Sequence, residues 1–148
     1  MRAAALFLAL LAGCLSPGGQ QYELLDGTAP TIVSIVPPMG GDAGTPVVGP
    51  GQIIEVRFSE AMDLASLRPG IAIRNKERRE QALTIQTEVA DVKLTAADRD
   101  VAMTVRISSA DPSGFATGGY QLFLRTLLID QQGNGLGTEF LGGFFVQN

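Results

Sequence analysis

The stretch Gln52-Ile53-Ile54-Glu55-Val56-Arg57-Phe58-Ser59-Glu60-Ala61-Met62-Asp63-Leu64-Ala65-Ser66-Leu67 decides the fold. Ile54, Val56 and Phe58 alternate with Glu55 and Arg57, so at a period of two the segment has an apolar face and a wet face, the pattern of a half-buried strand. Beyond it Asp63 can cap the first turn of a short helix, which Pro69-Gly70 would end.

Working outward, Thr31 to Val36 is rich in β-branched residues and stops at Pro37-Pro38, which cannot donate to a ladder; it reads as an edge strand. Met39 to Gly51 reads as a loop studded with Gly and Pro. Ile71 and Ile73 restart the alternation, and Leu83, Ile85 and Thr87 alternate with Thr84, Gln86 and Glu88. A polar turn at Asp98-Arg99-Asp100 introduces Val101, Met103, Val105 and Ile107. After the turn-forming Ser108 to Gly119, a strand opens at Tyr120, and Asp130 to Gly135 is a turn in which Gly and Asn can take positive φ. A last strand runs from Glu139 to Gln147, where Gly142-Gly143 suggests a bulge or a close backbone approach. The pattern predicts an all-β fold: an antiparallel two-sheet immunoglobulin-like sandwich of about seven strands over residues 29–148. No cysteine pair can staple it, so the hydrophobic core must hold it.

The start of the chain has another character. Arg2 precedes an apolar run from Ala3 to Ala12, the layout of a secretory signal, and the run is far short of the about 20 apolar residues that span a bilayer. It ends at Leu11-Ala12-Gly13-Cys14, and Cys14 is the only cysteine. LAGC resembles the lipobox of bacterial lipoproteins, which implies a cleaved signal peptide over 1–13, a covalent lipid on Cys14 and a membrane anchor made by two or more acyl chains. Residues 14–28 would be a lipidated flexible tether, with an r.m.s. reach of about 20 Å. Leu15, in place of aspartate, follows the cysteine, which by the same resemblance points to the outer membrane.

Two stretches resemble one family together. IIEVRFSEAMDLASL within Gln52 to Leu67, and YQLFLRTLLIDQQGNGL from Tyr120 to Leu136, are similar to the opening and closing motifs of the bacterial Ig-like domain of the surface-layer (SbsA) type. The resemblance covers about Ala29 to Asn148. It implies that Phe58 and Met62 are buried at the sandwich end, that Ser59, Glu60 and Asp63 terminate the strand and cap the turn, and that Tyr120 makes a tyrosine corner. Family members are spacers or adhesion units in larger surface proteins.

Composition narrows the chemistry. There is no histidine, so no Ser-His-Asp or Cys-His arrangement can form, and no tryptophan to serve as a sugar platform. Ser59 and Ser66 have no evident base, and neither a Walker-type phosphate loop nor G-x-S-x-G occurs. The carboxylate pairs Glu60/Asp63 and Asp98/Asp100 lack companions for acid–base work. Net charge is −4, and the cluster Arg74, Lys76, Arg78, Arg79 is broken by Glu77 and Glu80, so nucleic acid is not expected as a partner. Glu60, Asp63, Asp130 and Asn134 are weak calcium candidates because they supply hard oxygen donors from loops, whereas a hairpin turn with Asx bonding explains D-x-x-G-N without a metal. No cofactor is expected.

The expectation is a lipid-anchored cell-envelope protein with one non-catalytic Ig-like module in a structural or protein-interaction role. Its partners would be the membrane and an unidentified envelope protein. The alternatives are a polysaccharide- or calcium-binding surface module, or an accessory subunit of an envelope complex recruited by strand addition at Thr31 to Val36 or Glu139 to Gln147.

Overall fold

A computed structural model describes residues 27–40, 44–89 and 102–148. The leader, Cys14, most of the tether, Asp98, Asp100 and Val101 lie outside the described residues. Among those described, the elements are β1 (Ile32–Val36), β2 (Val47–Val48), β3 (Ile54–Phe58), α1 (Leu64–Gly70), β4 (Ile71–Asn75), β5 (Leu83–Val89), β6 (Met103–Ser109), β7 (Gly118–Leu124) and β8 (Phe140–Val146). They form two four-stranded sheets, ordered β1-β3-β6-β5 and β2-β8-β7-β4. With β1 as strand A and β8 as strand G, these are the ABED and GFC sheets of a constant-type immunoglobulin sandwich, the second extended by β2.

The period-two segment at the centre is β3. Ile54, Val56 and Phe58 are fully buried, while Glu55 and Arg57 face outward beside Arg106 and Thr104 of β6. Met103, Val105 and Ile107 repeat the pattern, as do Leu122 and Leu124 in β7 and Phe144 and Val146 in β8. All of them belong to one core cluster, into which Met62, Leu67 and Leu128 pack from the loop end.

The expected two-sheet immunoglobulin-like sandwich is the observed architecture, and its details refine it. The sandwich is not purely antiparallel: the segment read as a loop carries β2, which pairs in parallel with β8, Val47 opposite Phe145 and Val48 opposite Val146. After Pro37-Pro38 the chain leaves the first sheet and joins the second, and Pro46 O and Val48 O accept from the amides of Phe145 and Gln147. A two-residue strand is too short to show a period in sequence. The helix ends at Pro69-Gly70, as the sequence predicts, with both as its last residues, and runs directly into β4, where the Ile71 amide donates to Leu67 O. Gly70 is needed there because a Cβ would fall 2.5 Å from Leu128 Cγ.

Of the two readings of Gly142-Gly143, a bulge or a close approach, the second holds. β8 stays in register with β7 throughout, and Gly142 instead allows a close approach, since a Cβ would lie 2.7 Å from the Phe140 ring and 2.8 Å from Met39 Cβ. The reading of Glu139 to Gln147 as an edge strand is corrected: β8 lies between β7 and β2, which pairs with it at Phe145 and Val146. Thr31 to Val36 is an edge strand, because β1 ends its sheet.

The tyrosine corner is present. Tyr120 Oη donates to Ala116 O at 2.8 Å, a few residues upstream, at the start of β7. The ring stacks on Phe144, directly opposite in β8, with centroids 5.4 Å apart, and Phe115 packs edge-on to Phe144 at 5.9 Å. The Phe115 amide donates to Pro50 O at 2.9 Å, and the preceding residue is Gly114, with φ +83 and no room for a Cβ against Pro50. Burial pushes the Tyr120 hydroxyl pKa upward, which keeps the donor protonated. Tyr120→Phe removes one hydrogen bond while keeping the ring, so urea unfolding is expected to show a loss of about 1 kcal/mol with an unchanged m-value.

Candidate functional site

The polar residues singled out in sequence converge at the far end of β7. The chain after β3 runs antiparallel to the chain after β7: Met62 bridges Asp130, the Asp63 amide donates to Ile129 O at 2.9 Å, and the Gln131 amide donates to Ala61 O at 3.2 Å. The two family-like motifs therefore lie side by side. A shallow cleft of about 520 Å³ opens between them, lined by Met62, Asp63, Leu64, Asp130 and Gln132 among others.

Asp130 is 1% exposed. Its Oδ1 accepts from the amides of Gln132 and Asn134, both at 2.8 Å, and its Oδ2 accepts from Asn134 Nδ2 at 2.8 Å. The first of these closes an Asx turn, and Gly133, with φ +92, takes the left-handed position that lets the chain fold back over the carboxylate. A buried carboxylate needs such donors to offset its lost hydration.

Asp63 is half-buried and caps α1, with Oδ1 accepting from the Ala65 amide at 3.1 Å. Glu60 is 5% exposed. Ser59 does not cap the turn: its Oγ accepts from the Thr31 amide at 2.9 Å, while its own amide donates to Thr31 O, so it ties the end of β3 to the residue before β1. Phe58 and Met62 are fully buried.

Ser66 has a role that the sequence reading missed. Its hydroxyl donates to Asp63 O at 2.7 Å and accepts from the Ile129 amide at 3.2 Å, so one side chain fastens the helix to the strand-like segment before Asp130. The signal was available: Ser66 shares the buried face of α1 with Leu67 and Gly70, and a serine on an apolar face has a backbone partner far more readily than a substrate.

What the arrangement can do chemically follows from these partners. The Ser66 hydroxyl faces backbone groups, and the Asp130 oxygens accept from donors of their own turn. Among the described residues no group of three or more Asp, Glu, His or Cys is gathered as a metal site. Of the calcium candidates, Asp130 and Asn134 share one hydrogen-bonded turn, and Asp63 caps α1 beside it.

Elsewhere the ionic groups pair across the sheet surfaces. Glu80 accepts from Arg74 at 2.7 Å and from Arg125 at 2.9 Å, and those two guanidinium groups hold its carboxyl below the usual range. Arg74 also sits 4.9 Å from the centroid of the Phe123 ring. Arg106 pairs with Glu55 and Glu88, both at 2.9 Å, on the outer face of the other sheet. These pairs are exposed and screened by solvent, so they contribute little to stability.

If Asp130 holds the loop rather than a ligand, Asp130→Ala should lower unfolding stability by about 2–4 kcal/mol, because buried donors lose their acceptor. The loss should be the same in calcium and in chelator, as read by thermal and urea unfolding.

Comparison with known proteins agrees with the fold. The sequence matches the family described as bacterial Ig-like domain over residues 26–139. A comparison with curated proteins gave no match. Among solved structures, the chain is similar to the N-terminal part of the bacterial S-layer protein SbsC, at 15% identity and a TM-score of 0.47, over 81% of this chain and 24% of that one. It is also similar to domains 1–6 of surface layer protein SbsC, at 16% identity and a TM-score of 0.43, over 80% of this chain and 14% of that one. The chain therefore spans less than a quarter of the length of these structures. With its topology, tyrosine corner and motif-bearing loops in place, the chain belongs to the bacterial Ig-like domain family.

Proposed function

We propose that the chain is a lipid-anchored, non-catalytic Ig-like module of the cell envelope, with a structural or protein-contact role. The observation that carries the non-catalytic half is the use of the loop-end polar groups. Asp63 caps α1, Ser66 fastens α1 to Ile129, and Asp130 and Asn134 close the 129–134 turn, so these polar groups are engaged within the fold. A module of this kind acts through its surface and its placement.

Placement rests on the sequence. Leu11-Ala12-Gly13-Cys14 after a short apolar run supports a lipid on Cys14, and Leu15 supports the outer membrane over the inner one. Among the described residues no helix is long and apolar enough to cross a membrane. The net charge of −4 favours a protein partner over nucleic acid.

In cells fed labelled palmitate, the wild-type chain is expected to carry label and fractionate with membranes, and Cys14→Ala to lose the label and leave the membrane fraction. An unlabelled chain, or a Cys14→Ala chain that stays with membranes, contradicts the anchor. A purified domain whose melting temperature rises with calcium would favour the calcium-binding reading over the contact role.

A further inference from the structure

The four sheet edges differ in how they are guarded. β1 has a register shift between Ile32 and Ser34 and is followed by Pro37-Pro38. β2 is two residues long and follows Pro46. β4 is covered along its outer side by the returning chain: the Gln81 amide donates to Ile73 O at 2.8 Å, Arg74 bridges Glu80, and Asn75 pairs with Arg79. Bulges, prolines, short strands and covering loops are the devices by which natural sheets stop edge-to-edge pairing.

Among the described residues β5 has none of them. It is seven residues long, free of proline, glycine and lysine, and in unbroken register with β6 from Leu83 to Val89. No strand among the described residues pairs with its outer side. Its inward-facing Leu83 and Ile85 are only half-buried. They line a cleft of about 210 Å³ between the sheets, whose opposite wall is Ile71 and Ala72 of β4. The edge thus offers backbone hydrogen bonds beside an incompletely filled seam of the core.

We propose that β5 is a self-association edge, pairing antiparallel with β5 of a second copy about a two-fold axis at Gln86. The sequence Leu83-Thr84-Ile85-Gln86-Thr87-Glu88-Val89 is compatible with itself in that register. Gln86 meets Gln86 of the second copy, Thr84 meets Glu88, Ile85 meets Thr87, and position 83 meets position 89. No like charges fall opposite each other, which antiparallel pairing requires. Each Glu88 keeps its ion pair with Arg106 of its own chain, on the outer face and out of the way of the new ladder. The interface is isologous and closes at two copies, joining two four-stranded sheets into one of eight. This deepens the proposed contact role by naming the partner, yet it does not depend on the lipid: fractionation tests the anchor and crosslinking tests the edge.

The test uses the full chain with Cys14 replaced by serine. Directly opposed residues in an antiparallel pair lie about 4.5–5.5 Å apart at Cα, within disulfide range, whereas residue 84 is displaced from residue 84 of the second copy by four positions. Gln86 is exposed, so Gln86→Cys leaves the core untouched. Under mild oxidation Gln86→Cys should give disulfide-linked dimer roughly tenfold or more above Thr84→Cys, because pairing raises the local thiol concentration. A mixture of Thr84→Cys and Glu88→Cys chains should link as the mixed dimer. The proposal is overturned if Gln86→Cys links no faster than Thr84→Cys, or if the parent chain sediments as a monomer at every concentration. A crosslink of Gln86→Cys to some other protein in cell extract, with none to itself, would also overturn it.

Discussion

Nothing covalent ties the two sheets together, because the lone cysteine lies before the domain, and that constraint shapes the rest of the molecule. In antibody domains a disulfide and a tryptophan pin the sandwich at its centre. Here Leu122 occupies the place two residues after the corner tyrosine, and the chain has no tryptophan. The sheets are held by close packing of Ile54, Val56 and Phe58 with Leu122, Leu124 and Phe144, and the two ends of β7 are fixed by hydrogen bonds. At its start Tyr120 bonds Ala116 and Phe115 is pinned to Pro50; beyond its end Asp130 and Ser66 bind the returning chain to α1.

The same polar residues that mark the family in sequence are therefore the ones that substitute for covalent restraint. Asp130, Gly133 and Asn134 form one turn, in which carboxylate, left-handed glycine and amide side chain each supply what the others need. The turn is satisfied by bonds among its own groups. This is why the acid-rich end, the most suggestive region on inspection of the sequence, supports a structural role.

Much of the fold was legible because it rests on period-two burial, which a strand of five to seven residues displays in full: Ile54, Val56 and Phe58, or Met103, Val105 and Ile107, each carry the signal alone. The short and non-local features were hidden. β2 has only Val47 and Val48, and its parallel pairing with β8 depends on a change of sheet that no local pattern encodes. The cap at Asp63 could be read from spacing, but Ser66 bonds to Ile129, 63 residues away, and Ser59 to Thr31, so their roles appear only once the chain is folded. Edge status behaved the same way. Prolines marked β1 correctly, whereas β8 became interior because β2 covers it.

The 129–134 turn acts as a lock within the cooperative unit and not as a mobile binding loop. Native-state hydrogen exchange of the Gln132 and Asn134 amides tests it most directly, since both donate to the buried Asp130 carboxylate. Both amides are expected to exchange through the same global opening as the amide of Leu122 in the centre of β7, with the same free energy and denaturant dependence. Exchange of these two amides by local opening, orders of magnitude faster than Leu122 and insensitive to denaturant, would contradict it.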